Sequence, residues 1–378
     1  KKDKVFEIGQ FDNIESRVYG TLKRNVRAWE PAGAGEFVVN VIKEGFKLDM
    51  FRMPGVYEEG NNKSFEKDQE FAIEAVNKLV KLEILKEVGR SEVRCVNPLT
   101  VAIKGVGKKR LCIDLSRCVN EVNPAPKFRI ESTVQFLQVV KAGDWMFAFD
   151  LKSAYHQVEM FKEHWKFLGL ALEIDGVRKF FTCLPFGLND AARALTKLLR
   201  FPLQRWRQWG AKSFIHLNDG IGAMAGEKEA QRMSDKVRED LAHFGLLTSE
   251  DKCTWRVTQE MEWTGWRINT QDFMIYVPER KIVKAEGKLD LLLAQVGRDV
   301  KVKELGSLVG LIISFGLAVG RSARFYTRFS TIEVARAAEE KGWGGSLVLT
   351  EEVVAELEFW RMLVICPITP IRPPRAIC

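Results

Sequence analysis

Two aspartates carry the first signal of chemistry. Asp150 closes the apolar run Trp145-Met146-Phe147-Ala148-Phe149, which reads as a short buried strand, and Asp219 lies in the tight hairpin signal Asn218-Asp219-Gly220 further along the chain. Two strands can bring such residues side by side. Phosphoryl transfer by two Mg²⁺ ions demands this arrangement, because hard oxygen ligands on separate strand ends can hold two cations roughly 3.5–4 Å apart. One cation then activates the attacking oxygen and the other stabilises the leaving one. Taken alone, Asp150 reads more simply as a cap at a strand end.

The elements around the aspartates follow from apolar spacing. Residues 1–63 carry weak periodicity, with Pro31, Pro54 and several glycines, and read as an irregular extension. From Phe65 to Val88 the spacing of Ala72, Val76, Leu79 and Val80 predicts a helix, with Gly89 as its left-handed cap. Val101-Ala102-Ile103 and Leu111-Cys112-Ile113 predict two strands joined by a basic, glycine-containing loop. The stretches 167–174 and 177–182 flank Asp175-Gly176, a hairpin signal. Helices are expected over Ala191–Trp209 and Glu227–Phe244, the latter capped by Gly245, with strands at Ser213–Leu217 and Ile221–Met224 between them. After a last hairpin, Glu262–Ile268 with Met274–Val277, the pattern turns helical at 279–295, 302–319 and 351–365, and prolines 367, 370, 373 and 374 predict an extended tail. An α+β domain followed by a helical one is the expected class.

Composition narrows the partners. The 378 residues are 46% hydrophobic and 29% charged, an ordinary globular balance that excludes a low-complexity or disordered chain. A net charge of +8 favours an anionic partner such as nucleic acid. The longest apolar run, Leu305 to Val319, is too short and too rich in Gly and Ser for a membrane span, so no membrane partner is expected. The N-terminus lacks the apolar core of a signal peptide, and seven scattered Cys form no C-x-x-C pair, which points to a reducing compartment, nucleus or cytoplasm, with the nucleus favoured.

Phe149-Asp150-Leu151-Lys152-Ser153-Ala154-Tyr155-His156-Gln157-Val158 resembles motif A of the reverse transcriptases of long-terminal-repeat and related retroelements. In the expected order the chain also has Lys104 and Arg110-Leu111-Cys112-Ile113-Asp114-Leu115, similar to the fingers motifs, and Leu184-Pro185-Phe186-Gly187-Leu188-Asn189-Asp190-Ala191, similar to motif B. His216-Leu217-Asn218-Asp219 stands where that family has Tyr-x-Asp-Asp. Gly245-Leu246 with Lys252-Cys253 resembles motif D, and Trp263-Thr264-Gly265-Trp266 resembles the primer-grip hairpin. The wording after Asp219, Gly220-Ile221-Gly222, and the stretches around Leu188-Asn189-Asp190 and Trp29 look most like DIRS-type retrotransposons.

The resemblance implies a right-hand polymerase: an extension at 1–63, fingers and an antiparallel palm at 64–278, a helical thumb at 279–345, and a C-terminal helix with its tail at 346–378. It implies that Asp150 and Asp219 hold Mg²⁺ or Mn²⁺, that Lys104 and Arg110 contact the incoming triphosphate, and that Tyr155 senses the sugar. Phe186 and Gly187 would shape the nucleotide pocket, and Lys252 would protonate the leaving pyrophosphate. Lys104 and Arg110 lie in the segment 101–130, which has seven basic and two acidic residues and suits a triphosphate. Arg205 and Arg207, interleaved with Trp206 and Trp209, and the hairpin of Trp263 and Gly265 are the candidate contacts to nucleic acid, although a helix with core tryptophans explains the first group equally well.

Motif C departs from the family. Its first aspartate, the one expected to bridge both metals, is Asn218, and its tyrosine is His216. Asparagine offers a neutral carbonyl, so cations should bind more weakly, while the turn is preserved because Asn and Asp both tolerate left-handed turn conformations. The expectation is therefore a retroelement-derived reverse-transcriptase fold with impaired catalysis, kept for binding RNA or an RNA–DNA hybrid or for binding a protein partner, with no resident cofactor if inactive. The alternative is a working RNA-directed DNA polymerase using two divalent metals.

Overall fold

A computed structural model describes residues 18–104, 108–174, 176–363 and 368–370. The tip residue Asp175, the side chain of Lys104 and most of the proline-rich tail lie outside that description. The chain forms two compact units. The first holds the residues up to Glu131 together with Ala148–Gly220 and Arg232–Trp255; the second holds Ser132–Phe147, Ile221–Gln231 and the residues from Arg256 onward.

In the first unit, the segment expected to be irregular forms three short helices, Thr21–Arg24, Val26–Trp29 and Glu36–Glu44. Trp29 explains why they dock. Its indole is fully buried 4.6 Å from the ring of Phe244 and donates Nε1–H to the Phe244 carbonyl at 3.0 Å, so a large apolar surface is buried without leaving a polar atom unpaired. A five-stranded sheet takes the order Tyr57–Glu58, Cys95–Asn97, Gly169–Leu170, Arg178–Phe181, Leu85–Val88. Beside it, Leu99–Lys104 pairs antiparallel with Lys108–Ile113, as the β-branched runs predicted.

The single helix expected from Phe65 to Val88 is divided. Helices span Lys63–Lys67 and Gln69–Lys81, and Leu85–Val88 is a strand paired with Arg178–Phe181. Glu83 at φ 61° ends the helical path, and Gly89 is extended at φ −67° rather than a left-handed cap. The ladder partner supplied by Arg178–Phe181, together with burial of Ile84 and Leu85, outweighs the local helical periodicity.

The strands bearing the aspartates lie in a four-stranded sheet of order Thr254–Thr258, Trp145–Asp150, Asp219–Met224, Phe214–His216. The alternation Gly220-Ile221-Gly222 has a steric origin. A Cβ at Gly220 would stand 2.1 Å from Phe149 Cζ, and one at Gly222 would stand 2.2 Å from Phe147 Cζ, so the neighbouring strand lays a phenyl ring across each glycine. Phe149 is locked in turn, edge-on to Trp206 at 5.6 Å and stacked on Trp255 at 5.9 Å. The helices Ala191–Gln208 and Glu227–His243 match expectation, and Gly245 at φ 74° ends the second.

The second unit contains the antiparallel strands Glu260–Trp263, Trp266–Asn269 and Met274–Tyr276, with Ile368–Pro370 paired to the last of them. Its helices Glu279–Leu293, Val302–Ile313, Arg328–Lys341 and Glu351–Leu363 share one core built on Leu289, Leu305, Leu308, Val353, Leu357 and Trp360. The C-terminal helix is thus part of that core. Arg328–Lys341 gave no apolar signal because its buried face is Ser330, Val334 and Ala337, mostly small residues. No helix among the described residues is long and apolar enough to cross a membrane.

Two outcomes follow from this packing. Gly222→Ala forces the Phe147 ring from its place and should destabilise the chain by about 1–3 kcal/mol, read by denaturant unfolding. His156 is buried with no hydrogen-bond partner on either ring nitrogen among the described residues, and burial depresses its pKa to about 4. The unfolded imidazole takes up its proton below about pH 6.5 while the native one does not, so native stability falls as pH drops from 6.5 toward 4, by up to about 1.4 kcal/mol per pH unit. In His156→Leu, unfolding midpoints measured between pH 7 and about pH 5 should lose this component of their slope.

Candidate functional site

The site is built where the strand Trp145–Asp150 ends beside the hairpin between Phe214–His216 and Asp219–Met224. The turn of that hairpin is Leu217-Asn218, one residue earlier than the sequence suggested, and Asp219 and Gly220 are already strand. Leu217, not a glycine, occupies the left-handed region at φ 59°, an uncommon conformation that the flanking ladder enforces. The Asn218 carbonyl accepts the Leu151 N–H at 2.9 Å and ties the turn to the strand end.

Asp150 is the centre of this arrangement. Asn218 Nδ2 donates to its Oδ2 at 2.6 Å and Ser249 Oγ donates to its Oδ1 at 2.9 Å. A carboxylate is an acceptor only, so asparagine presents its NH₂ and turns its carbonyl away. The loop after Gly245 closes over the backbone. Ser249 N–H donates to the Asp150 carbonyl at 2.8 Å, Leu247 O accepts from Lys152 N–H at 2.9 Å, and Cys253 Sγ stands 3.4 Å from the Asp150 nitrogen.

Asp219 faces the same carboxylate. Burial, then hydrogen bonding to and repulsion from Asp150, push its pKa up to about 6, opposed by the charges of His216 and Lys252. Lys252 itself is exposed in the turn Glu250–Lys252, and His216 is anchored through Nδ1 to the Glu131 carbonyl at 2.7 Å. The four candidate catalytic residues are therefore brought together. Among the described residues no group of three or more His, Cys, Asp or Glu side chains converges to hold a metal ion. The two carboxylates suit one divalent cation, because its charge would offset both the burial and the repulsion that raise Asp219; a second cation would lack the charge that Asn218 does not supply.

The nucleotide-pocket candidates also adjoin one another. Tyr155 and Phe186 meet edge to face at 5.1 Å, and the Phe186 carbonyl accepts the Ile113 N–H at 3.2 Å. Gly187 has φ 123°, and a Cβ there would lie 1.9 Å from the Ile113 carbonyl oxygen, so no other residue fits without moving the strand. Asn120 fixes this loop from the far side, donating to the Gly187 carbonyl at 2.8 Å and accepting from the Asn189 N–H at 3.0 Å. Arg110 is a half-buried residue of the same strand as Ile113, and Lys104 ends its ladder partner.

The candidate contacts to nucleic acid behave differently. Arg205 pairs with Asp240 at 3.2 Å and lies over Trp209, while Arg207 pairs with Glu131 at 2.7 Å, donates to Ser213 O and lies over Phe214. Internal partners thus occupy both cations. Trp263 is 3% exposed and edge-on to Phe136 at 5.7 Å, so it is a core residue with no ring face open to a base. Gly265 at φ 79° and Thr264 at φ 47° make the tight turn that follows it. Sequence reasoning missed Ser249, which sits in a loop with no periodicity and reaches Asp150 only through the turn set by Gly245.

With this geometry in view, residues 84–268 match the family Reverse transcriptase (RNA-dependent DNA polymerase). A curated relative, the retrovirus-related Pol polyprotein from transposon gypsy of Drosophila melanogaster, is 27% identical over 169 residues, covering 44% of this chain and 15% of its own. Among solved structures, the foamy viral protease-reverse transcriptase in complex with RNA/DNA hybrid aligns with TM-score 0.64 at 17% identity over 84% of this chain and 39% of the viral one. The same viral enzyme in complex with dsDNA aligns at 0.63 and 17% identity, over 84% and 60%. The chain spans a seventh or so of the gypsy polyprotein and less than two thirds of these viral chains. Residues 84–268 are thus similar to the reverse-transcriptase family, and the chain shares the fold of the foamy viral reverse transcriptases with which it aligns.

Proposed function

We propose that this chain is a catalytically impaired reverse transcriptase of DIRS-like retroelement origin that retains a cleft for RNA or an RNA–DNA hybrid and serves in the nucleus through binding, alone or with a protein partner. One observation carries the reading: Asn218 donates a hydrogen bond to Asp150 at 2.6 Å, so a neutral amide inside the chain satisfies the carboxylate that a bridging cation would otherwise neutralise. The gypsy relative and the hybrid-bound viral enzymes support the nucleic-acid cleft. The DIRS-like origin rests on resemblance alone, as in the Gly220-Ile221-Gly222 wording.

A second reading has its own support. Asp150, Asp219 and Lys252 remain together, and Tyr155, Phe186 and Gly187 remain around Ile113, as a working polymerase would need. In that reading Asp150 and Asp219 would hold the two divalent metals, Mg²⁺ or Mn²⁺, which would supply charge neutralisation for a triphosphate.

Primer extension on an RNA template separates the two readings. The chain as it stands should give no product with Mg²⁺ or Mn²⁺, and Asn218→Asp should restore it; extension by the unaltered chain that Asp150→Ala abolishes would establish the active polymerase instead. A cation test needs no activity. Mn²⁺ should raise the melting temperature in a saturable way, since a ligand of the native state stabilises it by mass action, and Asp219→Asn should remove that rise. Asp219→Asn should itself be more stable than the parent at pH 7. A carboxyl whose native pKa is raised from 3.8 to about 6 costs stability as pH rises through that window, on the order of 1–2 kcal/mol after allowance for its partial exposure.

A further inference from the structure

The second unit carries a surface that the polymerase site does not use. Between Glu304 and Glu333 the sequence has no acidic residue, and its only cations there are Arg321, Arg324 and Arg328. All three are exposed and have no ion-pair partner among the described residues. In the sequence they flank Phe325, which is 68% exposed, and Phe329 and Ile332 further along are about half exposed. Large apolar side chains this open are either idle or held ready for a partner, and a row of them among unpaired cations of one sign narrows what that partner is.

The rings form a series. Phe325 stands edge-on to Tyr326 at 5.0 Å, Tyr326 stacks on Phe359 at 3.7 Å, and Phe359 meets Trp360 edge-on at 5.5 Å. The buried end is fixed, because Trp360 Nε1 donates to the Tyr326 carbonyl at 2.7 Å. Glu356 holds the start of the neighbouring helix through the Phe329 and Ser330 N–H groups at 2.9 and 2.8 Å. Phe325 is therefore the open end of a rigid aromatic stack, presented without the ordering cost of a mobile loop.

We infer that the Arg321, Arg324, Phe325 and Arg328 surface binds a single nucleic-acid strand, its phosphates on the arginines and an unpaired base on the Phe325 ring. Base stacking on an open aromatic combined with backbone cations is the chemistry of sequence-tolerant strand binding, and a duplex would hide the base faces that Phe325 needs. The site would hold strand outside any paired template and primer. It stands independently of the state of the polymerase site, since none of its residues belongs to that site.

The experiment measures binding of a fluorescently labelled oligouridylate by the full chain as salt is raised. Arg321→Ala/Arg324→Ala/Arg328→Ala should weaken binding at least about ten-fold and reduce the slope of log affinity against log salt by about 2, at about 0.7 per lost phosphate contact on a single strand. Phe325→Ala should weaken binding about ten-fold with the slope unchanged, because stacking releases no counterion. An oligomer carrying 5-iodouridine should crosslink to the peptide containing Phe325 and Tyr326. All of these side chains are exposed or half-exposed, and circular dichroism checks that the variants fold. Affinity and slope unchanged in the triple variant would overturn the inference, as would adsorption to phosphatidylserine vesicles through these arginines with no oligouridylate binding. Retained binding to an RNA–DNA hybrid in either case would leave the polymerase-cleft reading standing.

Discussion

The site depends on how closely two strands can approach. Phe147 and Phe149 lie flat across Gly222 and Gly220, and that contact lets the end of one strand reach the turn of the next hairpin. Any side chain at the glycines would hold the strands apart by the thickness of a ring. Because Phe149 is pinned by Trp206 and Trp255 and Phe147 is buried, the approach is set by the core and not by the polar groups at the tip. Asp150, Asn218 and Asp219 are consequences of that packing. They are brought together whether or not their charges favour it, which is how a repulsive pair of carboxylates can persist in a folded chain.

The electrostatics of the tip then follow from a single substitution in kind. Where a third carboxylate would need an external cation, Asn218 supplies the positive end of an amide dipole from within the chain. Asp150 is satisfied by that amide and by Ser249, while burial, and then the neighbouring Asp150, raise the pKa of Asp219. The backbone records none of this change, since the Asn218 carbonyl holds the Leu151 N–H irrespective of the side chain. Fold and charge are separable at this position.

Much of this was legible in the residues, and the failures have physical causes. The aspartate-bearing strand, the hairpin beside it, the helices after Ala191 and Glu227 and the cap at Gly245 follow from local pattern, because each buries one face in register with its own periodicity. Residues 84–88 read as helix because their apolar spacing is ambiguous over so short a run, and the partner strand that decides the matter lies nearly a hundred residues away. Trp263 and the arginines of the helix Ala191–Gln208 were read by type alone. Whether an indole faces a base or a core, and whether a guanidinium faces a phosphate or Asp240, is decided by tertiary neighbours that spacing does not encode. Ser249 was invisible for the same reason.

The docking of Trp29 onto Phe244 has a consequence for how the chain comes into being. The two residues are separated by 215 positions, so at ribosomal rates of about 5–20 residues per second the N-terminal helices wait roughly 10–40 s before their partner surface has been synthesised. Throughout that interval the Trp29 indole lacks both the ring and the carbonyl on which it docks. This segment leaves the ribosome well before the surface it docks on exists, and until then its solubility rests on whatever shields it during translation.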